Sequence, residues 1–214
     1  MRIERDLKLT FDDVLIRPKR STLISRSDVD LEREFNFRHS GVTWRGLPIV
    51  AANMDTTGLF SIADSMQRHS MITCTQKFYS TRDFSKAWED GINPEFIAVT
   101  CGSTEESFEL LKRKVSTDSR MKMICIDVAN GYREIFLDFV KRVREEFPDK
   151  IIIAGNVATR EMTEALILAG ADIVKVGIGP GSVCTTRKVA GVGYPQLSAI
   201  SECADAAHGL NGHV

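Results

Sequence analysis

Six short β-branched or apolar runs alternate with helical stripes along this chain. The last of them breaks into a glycine-rich loop dense with reactive side chains. Those observations predict an α/β fold of the TIM (β/α)8-type barrel class, incomplete, with about six βα units and strands 7 and 8 missing. Parallel strands covered on both faces read as nearly continuous apolar runs, and these do. They fall at 48–51, 71–75, 96–100, 123–127, 151–154 and 173–176, and a seventh begins at His213 and Val214.

Residues 1–48 lack this rhythm. Val29, Leu31, Phe35 and Phe37 alternate with polar residues, which predicts a small hairpin capping the closed end of the barrel. From position 47 onward the helices between strands are amphipathic. Phe136, Phe139, Val140, Val143 and Phe147 form one stripe, ended by Pro148. Met162, Ala165, Leu166 and Ala169 form a second, with Thr159 as N-cap and Gly170 as its stop. Leu59, Ile62, Ala63 and Met66 form a third, and all three stripes are read as core. Residues 1–214 are expected to make one partial-barrel domain, with 1–48 as its lead-in. Six strands leave two open edges, so the isolated chain is expected to self-associate.

Composition excludes several classes of function. Hydrophobic residues are 43% and charged residues 27% of the 214, and the net charge is −1. No basic block points to nucleic acid or an anionic membrane. No apolar run approaches the roughly 20 residues of a membrane span. The charged N-terminus is not a secretory signal. Five cysteines, with no C-x-x-C spacing, suit a reducing cytoplasm without a disulfide frame or zinc site. Cys74 and Cys125 lie in apolar runs and read as small buried hydrophobes. Cys101 is placed at a strand end, where it could line a pocket.

The chemistry concentrates at 173–187, I-V-K-V-G-I-G-P-G-S-V-C-T-T-R. A strand entering a loop places reactive groups at the strand's C-terminal end, where α/β barrels hold their active sites. Three glycines in five residues let the backbone approach a ligand closely. Cys184 is the nucleophile candidate, because free backbone N–H groups in such a loop favour a thiolate. Thr186, two residues on, can face the same pocket. Asp127 closes the fourth run, where an acid can hold a ligand hydroxyl or amide, or cap the next helix.

The string G-I-G-P-G-S-V-C-T-T-R resembles the catalytic loop of the IMP dehydrogenase and GMP reductase family. G-V-G-Y-P-Q-L-S-A (191–199) and D-V-A-N-G-Y (127–132) resemble the reductase branch. The resemblance covers essentially the whole chain but only the front portion of the family's length. It implies NADPH-dependent reductive deamination of GMP to IMP with release of ammonia, through a covalent adduct on Cys184. Thr186 would act in protonation, together with a glutamate beyond Val214. Ser25, Arg26, Lys77, Asp127, Val128, Ala129, Ile178 and Gly179 would contact NADPH. Gly179, Gly181, Cys184 and Arg187 would hold a monovalent cation, K+. The residues beside Lys77, Gln76 and Phe78, replace histidines of the family pattern. The resemblance also implies a cytoplasmic homotetramer, with Ser25 and Arg26 reaching a neighbouring subunit.

Two other readings stay open. One is an IMP dehydrogenase-type oxidoreductase, although the 18 residues from 78 to 95 leave no room for that enzyme's usual inserted domain. The other is a truncated, non-catalytic fragment or interaction subunit.

Overall fold

A computed structural model describes residues 5–214, apart from the side chain of Thr186. An antiparallel hairpin, β1 (Arg33–Asn36) and β2 (Thr43–Gly46), precedes the sheet. Six parallel strands follow in sequential order: β3 (Val50–Ala51), β4 (Ile72–Cys74), β5 (Ile97–Cys101), β6 (Met123–Asp127), β7 (Ile151–Val157) and β8 (Ile173–Val176). Helices α1 (Phe60–Gln67), α2 (Thr81–Glu89), α3 (Glu105–Val115), α4 (Glu134–Glu146) and α5 (Arg160–Leu168) connect them. After β8 come α6 (Thr185–Ala190) and α7 (Gln196–Gly209). His213 then pairs in parallel with Ile173, so a seventh strand does begin where the sequence places it.

Side-chain alternation divides the strands into two layers. Ile97, Val99, Ile124, Ile126, Ile152 and Ala154 face outward and pack on Phe84, Leu111, Phe136, Val140 and Leu166 of the helices. Ile72, Cys74, Ala98, Met123, Cys125, Ile151 and Ile153 face inward. This inner layer also contains Phe37 and Trp44, so the hairpin closes the N-terminal end of the half-barrel as expected. Among the described residues, the sheet's inner surface near its two edges is an apolar groove lined by Val50, Cys74, Ile153, Ile173, Ile200 and Val214.

Several sequence expectations are corrected. Val29 and Leu31 lie outside the hairpin and are exposed; its second strand is instead the one carrying Trp44. Ile62 is exposed, and of the third stripe only Ala63 is fully buried. This helix lies near the sheet edge and is covered on a narrow strip. Phe96 sits in a 3-10 turn, Pro94–Phe96, because Pro94 fixes its own φ and starts that turn under an Asn93 cap. Strand β7 runs on to Val157, past a register irregularity at Gly155 and Val157.

At the closed end, Asp172 is a fully buried anchor. It accepts from Arg144 at 2.6 Å, from the Ile152 amide at 3.1 Å and from the His39 amide at 2.9 Å. One carboxylate thereby ties α4, β7 and the hairpin turn to the start of β8.

Candidate active site

Strand β8 delivers the chain to the open end of the barrel and Gly177 turns it. Gly177 has φ +141°, and a Cβ there would meet Gln196 Oε1 at 2.9 Å. Gly179 has φ +67°, and a Cβ there would meet the carbonyl of Val192 at 2.8 Å. Both positions therefore require glycine, and both hold the 177–184 loop against the segment that leads into α7. The Tyr194 amide donates to the Ile178 carbonyl at 3.0 Å and completes that contact.

Cys184 is half-buried and stands at the N-cap of α6. The first-turn N–H groups of a helix favour a thiolate there. The Cys184 amide donates to the Gly181 carbonyl at 3.1 Å, and its own carbonyl accepts from Lys188 at 3.2 Å. Each of these carbonyls keeps a second lone pair for a cation. Arg187 is exposed, with its stem against Gly179 and Gly193. Thr186 belongs to α6, but its side chain lies outside the described residues.

A second cluster lies on the inner face at the same end. Lys175 on β8 donates to Asp127 at the end of β6, at 2.5 Å, and to Asn53 after β3, at 2.6 Å. Burial works against the Lys175 ammonium, but the Cys125 thiol and the Asp127 carboxylate beside it outweigh that and raise its pKa. Asn156, past the middle of β7, links the flanking loops. Its Nδ2 donates to the Gly177 carbonyl at 3.3 Å, its carbonyl accepts from the Gly131 amide at 2.9 Å, and its amide donates to the Val128 carbonyl at 3.0 Å. Two buried acceptors here have no hydrogen-bond partner among the described residues, Asn156 Oδ1 and Gln196 Oε1. Such orphans carry a free-energy cost that an amide-bearing ligand would remove.

The structure thus brings together Asp127, Val128, Ile178 and Gly179, all bordering Asn156 or Gly177. Ala129 is exposed just beyond them. Lys77 is exposed on the loop after β4, with its ammonium 5.3 Å from the Phe78 ring centroid. Ser25 and Arg26 are not brought to this site by their own chain. Ser25 caps the turn Arg26–Asp28 through local bonds, and Arg26 is exposed. Cys101 is buried against α3, and burial pushes its thiol up. Sequence reasoning overlooked Lys175, Asn156 and Gln196. The signal for Lys175 was present: a charge inside a buried β-branched run must find a partner.

The family model for the IMP dehydrogenase / GMP reductase domain matches residues 8–214. GMP reductase of Klebsiella pneumoniae subsp. pneumoniae is 58% identical over 217 residues, covering all of this chain and 62% of that protein. GMP reductase of Escherichia coli O81 is 57% identical with the same coverage. The chain thus spans 62% of the length of the curated relatives it matches. In three dimensions it is similar to the crystal structure of inosine 5′ monophosphate dehydrogenase from Legionella pneumophila. That match has a TM-score of 0.80 and 30% identity, and it covers 93% of this chain and 59% of that one. The cysteine loop, the barrel strands that carry it and the matched span together place the chain in the IMP dehydrogenase / GMP reductase family.

Proposed function

We propose that this chain carries the nucleophile and the cofactor-facing half of a GMP reductase site. The reaction is reductive deamination of GMP to IMP. The observation that carries this reading is Cys184 at the N-cap of α6, on a loop that Gly177 and Gly179 let fold against the segment leading into α7, near the buried acceptors of Asn156 and Gln196. The identity of 57–58% to GMP reductases supports the reductase over the dehydrogenase.

In this mechanism the Cys184 thiolate adds to C2 of the purine and forms a carbon–sulfur bond. The C2–amino bond breaks once the leaving nitrogen is protonated, and ammonia departs. Thr186 belongs to that proton path. NADPH, when bound, would supply a hydride for C2; the chain's own part in that stage is to release the Cys184 thiolate as the carbon–sulfur bond breaks. The orphaned acceptors Asn156 Oδ1 and Gln196 Oε1 fit the amide hydrogens of a nicotinamide. Asp127, fixed by Lys175, fits a hydroxyl or amide of the same cofactor. Lys77 and, from a neighbouring subunit of a tetramer, Ser25 and Arg26 are suited to its phosphates. The carbonyls of Gly179, Gly181 and Cys184, with Arg187, offer the hard oxygen donors that K+ takes.

The test is loss of NADPH absorbance by the purified chain with GMP and potassium, beside Cys184→Ala. Turnover that depends on GMP and vanishes in Cys184→Ala supports the reading. A folded chain that forms no GMP-dependent adduct on Cys184 by mass spectrometry, and shows no turnover, overturns it. Oxidation of IMP by NAD+ at a higher rate than GMP reduction would favour the dehydrogenase instead.

A further inference from the structure

The lead-in meets α7 from the other end of the chain. The Leu9 amide donates to Ser198 Oγ at 2.8 Å, and the Leu9 carbonyl accepts from the Ser198 amide at 3.2 Å. That second bond gives an acceptor to the first turn of α7, whose N-cap, Pro195, offers no side-chain cap. One turn further along α7, Lys8 donates to Glu202 Oε1 at 2.6 Å. The Tyr194 hydroxyl donates to the same carboxylate, 3.1 and 3.0 Å from its two oxygens. The Lys8 ammonium also stands 5.6 Å from the Tyr194 ring centroid. The Lys8 and Glu202 side chains are 23% and 32% exposed, so this pair is better sheltered than an ordinary surface ion pair.

The other side of the same segment touches the cysteine loop. The Tyr194 amide donates to the Ile178 carbonyl at 3.0 Å, and Gln196 Nε2 donates to the Val176 carbonyl at 3.0 Å. The stem of Arg187, in the helix that Cys184 begins, lies between Gly179 and Gly193. Residues 192–198 are thus bonded to 176–179 on one side and to residues 8 and 9 on the other. Gly191 and Gly193 make the start of this segment intrinsically free, and ordering it costs more backbone entropy than a run without glycine. Its place must be set by bonds from outside, and the lead-in supplies them from the far end of the sequence.

We propose that Lys8 is a positioning residue for the cysteine loop. With Leu9 it straps the lead-in onto α7. The strap holds Glu202, Glu202 holds the Tyr194 side chain, and the Tyr194 backbone holds Ile178. Cys184 is thereby kept where the N–H groups around it favour its thiolate. Lys8 touches no reacting atom and acts through Glu202 and Tyr194. The inference takes its meaning from the reading of Cys184 as nucleophile, but its test reads the thiol and the backbone without turnover. A strap effect in a chain that shows no GMP chemistry would leave the strap standing and remove the proposed reaction alone.

The experiment compares the whole chain with Lys8→Met, Glu202→Gln and Lys8→Arg, with thermal melts as the folding control. Iodoacetamide alkylation of Cys184 is followed by peptide mass spectrometry across pH, and hydrogen exchange is read at the Tyr194 amide. In Lys8→Met and Glu202→Gln the alkylation profile should move to higher pH, with the rate at neutral pH down at least about threefold. Exchange at Tyr194 should quicken in both. Lys8→Arg keeps a charge-assisted bond to Glu202 and should restore both readouts. Glu202→Gln preserves side-chain shape, so the proposal stays testable if Lys8→Met fails to fold. An unchanged alkylation profile in either folded variant overturns the proposal, even with a lowered melting temperature, because Lys8 would then serve stability only. A profile displaced equally by Lys8→Met and Lys8→Arg overturns it as well.

Discussion

Two acids hold the two ends of this half-barrel, and they are held differently. Asp172, at the closed end, is fully buried and takes donors from α4, β7 and the hairpin turn. Asp127, at the open end, is partly exposed and is met by one described side chain, Lys175. The first carboxylate is saturated and serves the fold. The second keeps acceptor capacity facing the mouth of the site. Distribution of donors, more than burial alone, separates an anchor from a working group.

The sharpest way to break this comparison is Asp172→Asn. It leaves the largely buried Arg144 guanidinium without its anion, a loss of about 3–5 kcal/mol. Denaturant unfolding should show it, and a change below about 1 kcal/mol would sink the anchor role. At the open end, Gly177→Ala forces a Cβ onto Gln196 at φ +141° and should cost about 2 kcal/mol. Its larger mark should be on ligand binding, read by NADPH fluorescence. Lys175→Met should cost about 1.5 kcal/mol, because Asp127 keeps water access when its cation is removed. Loss of cofactor affinity with little change in melting temperature would confirm the contrast with Asp172, whereas a collapse in stability would erase it.

The smallest effect lies on the outer rim, far from both acids. Ser80 donates to Asp83 from its backbone and its hydroxyl, both at 2.7 Å, and this holds the Asp83 carboxyl below its ordinary value. A depressed acid contributes stability that is complete above the ordinary carboxylate pKa, about 3.9, and is lost as pH falls through the lower folded value. Asp83→Ala should therefore cost about 1 kcal/mol at neutral pH, by loss of the capping box of α2. The gap between variant and wild type should close in acid, and a gap independent of pH would rule the ionised cap out.

The barrel strands were legible because they are covered on both faces. Met123–Asp127 and Ile173–Val176 stand where the apolar runs put them. The hairpin was legible as a cap but misplaced. Trp44 sits in the polar string T-W-R-G, and its burial at 6% exposure comes from joining the inner layer that also holds Ile72 and Met123, which no local pattern shows. The cysteine loop was legible from composition and spacing. Asn156 and Gln196 were not, since each is a single polar residue whose meaning comes from the Gly177 turn, about 20 residues away in sequence for both. For Lys175 the run around it signalled that a partner was needed, but not which one. Its partners, Asp127 and Asn53, are 48 and 122 residues distant.

That last separation has a consequence for the shape of the sheet. Asn53 follows the first parallel strand and Lys175 lies on the sixth, so their bond crosses from one margin of the sheet to the other. A flat ribbon of six strands would hold its margins about 24 Å apart; here one lysine side chain spans the gap. The ammonium works as a clasp on curvature, and the same ammonium fixes Asp127 at the mouth. Any strain that unrolls the sheet must open this clasp, and it then loosens the acid that faces the ligand.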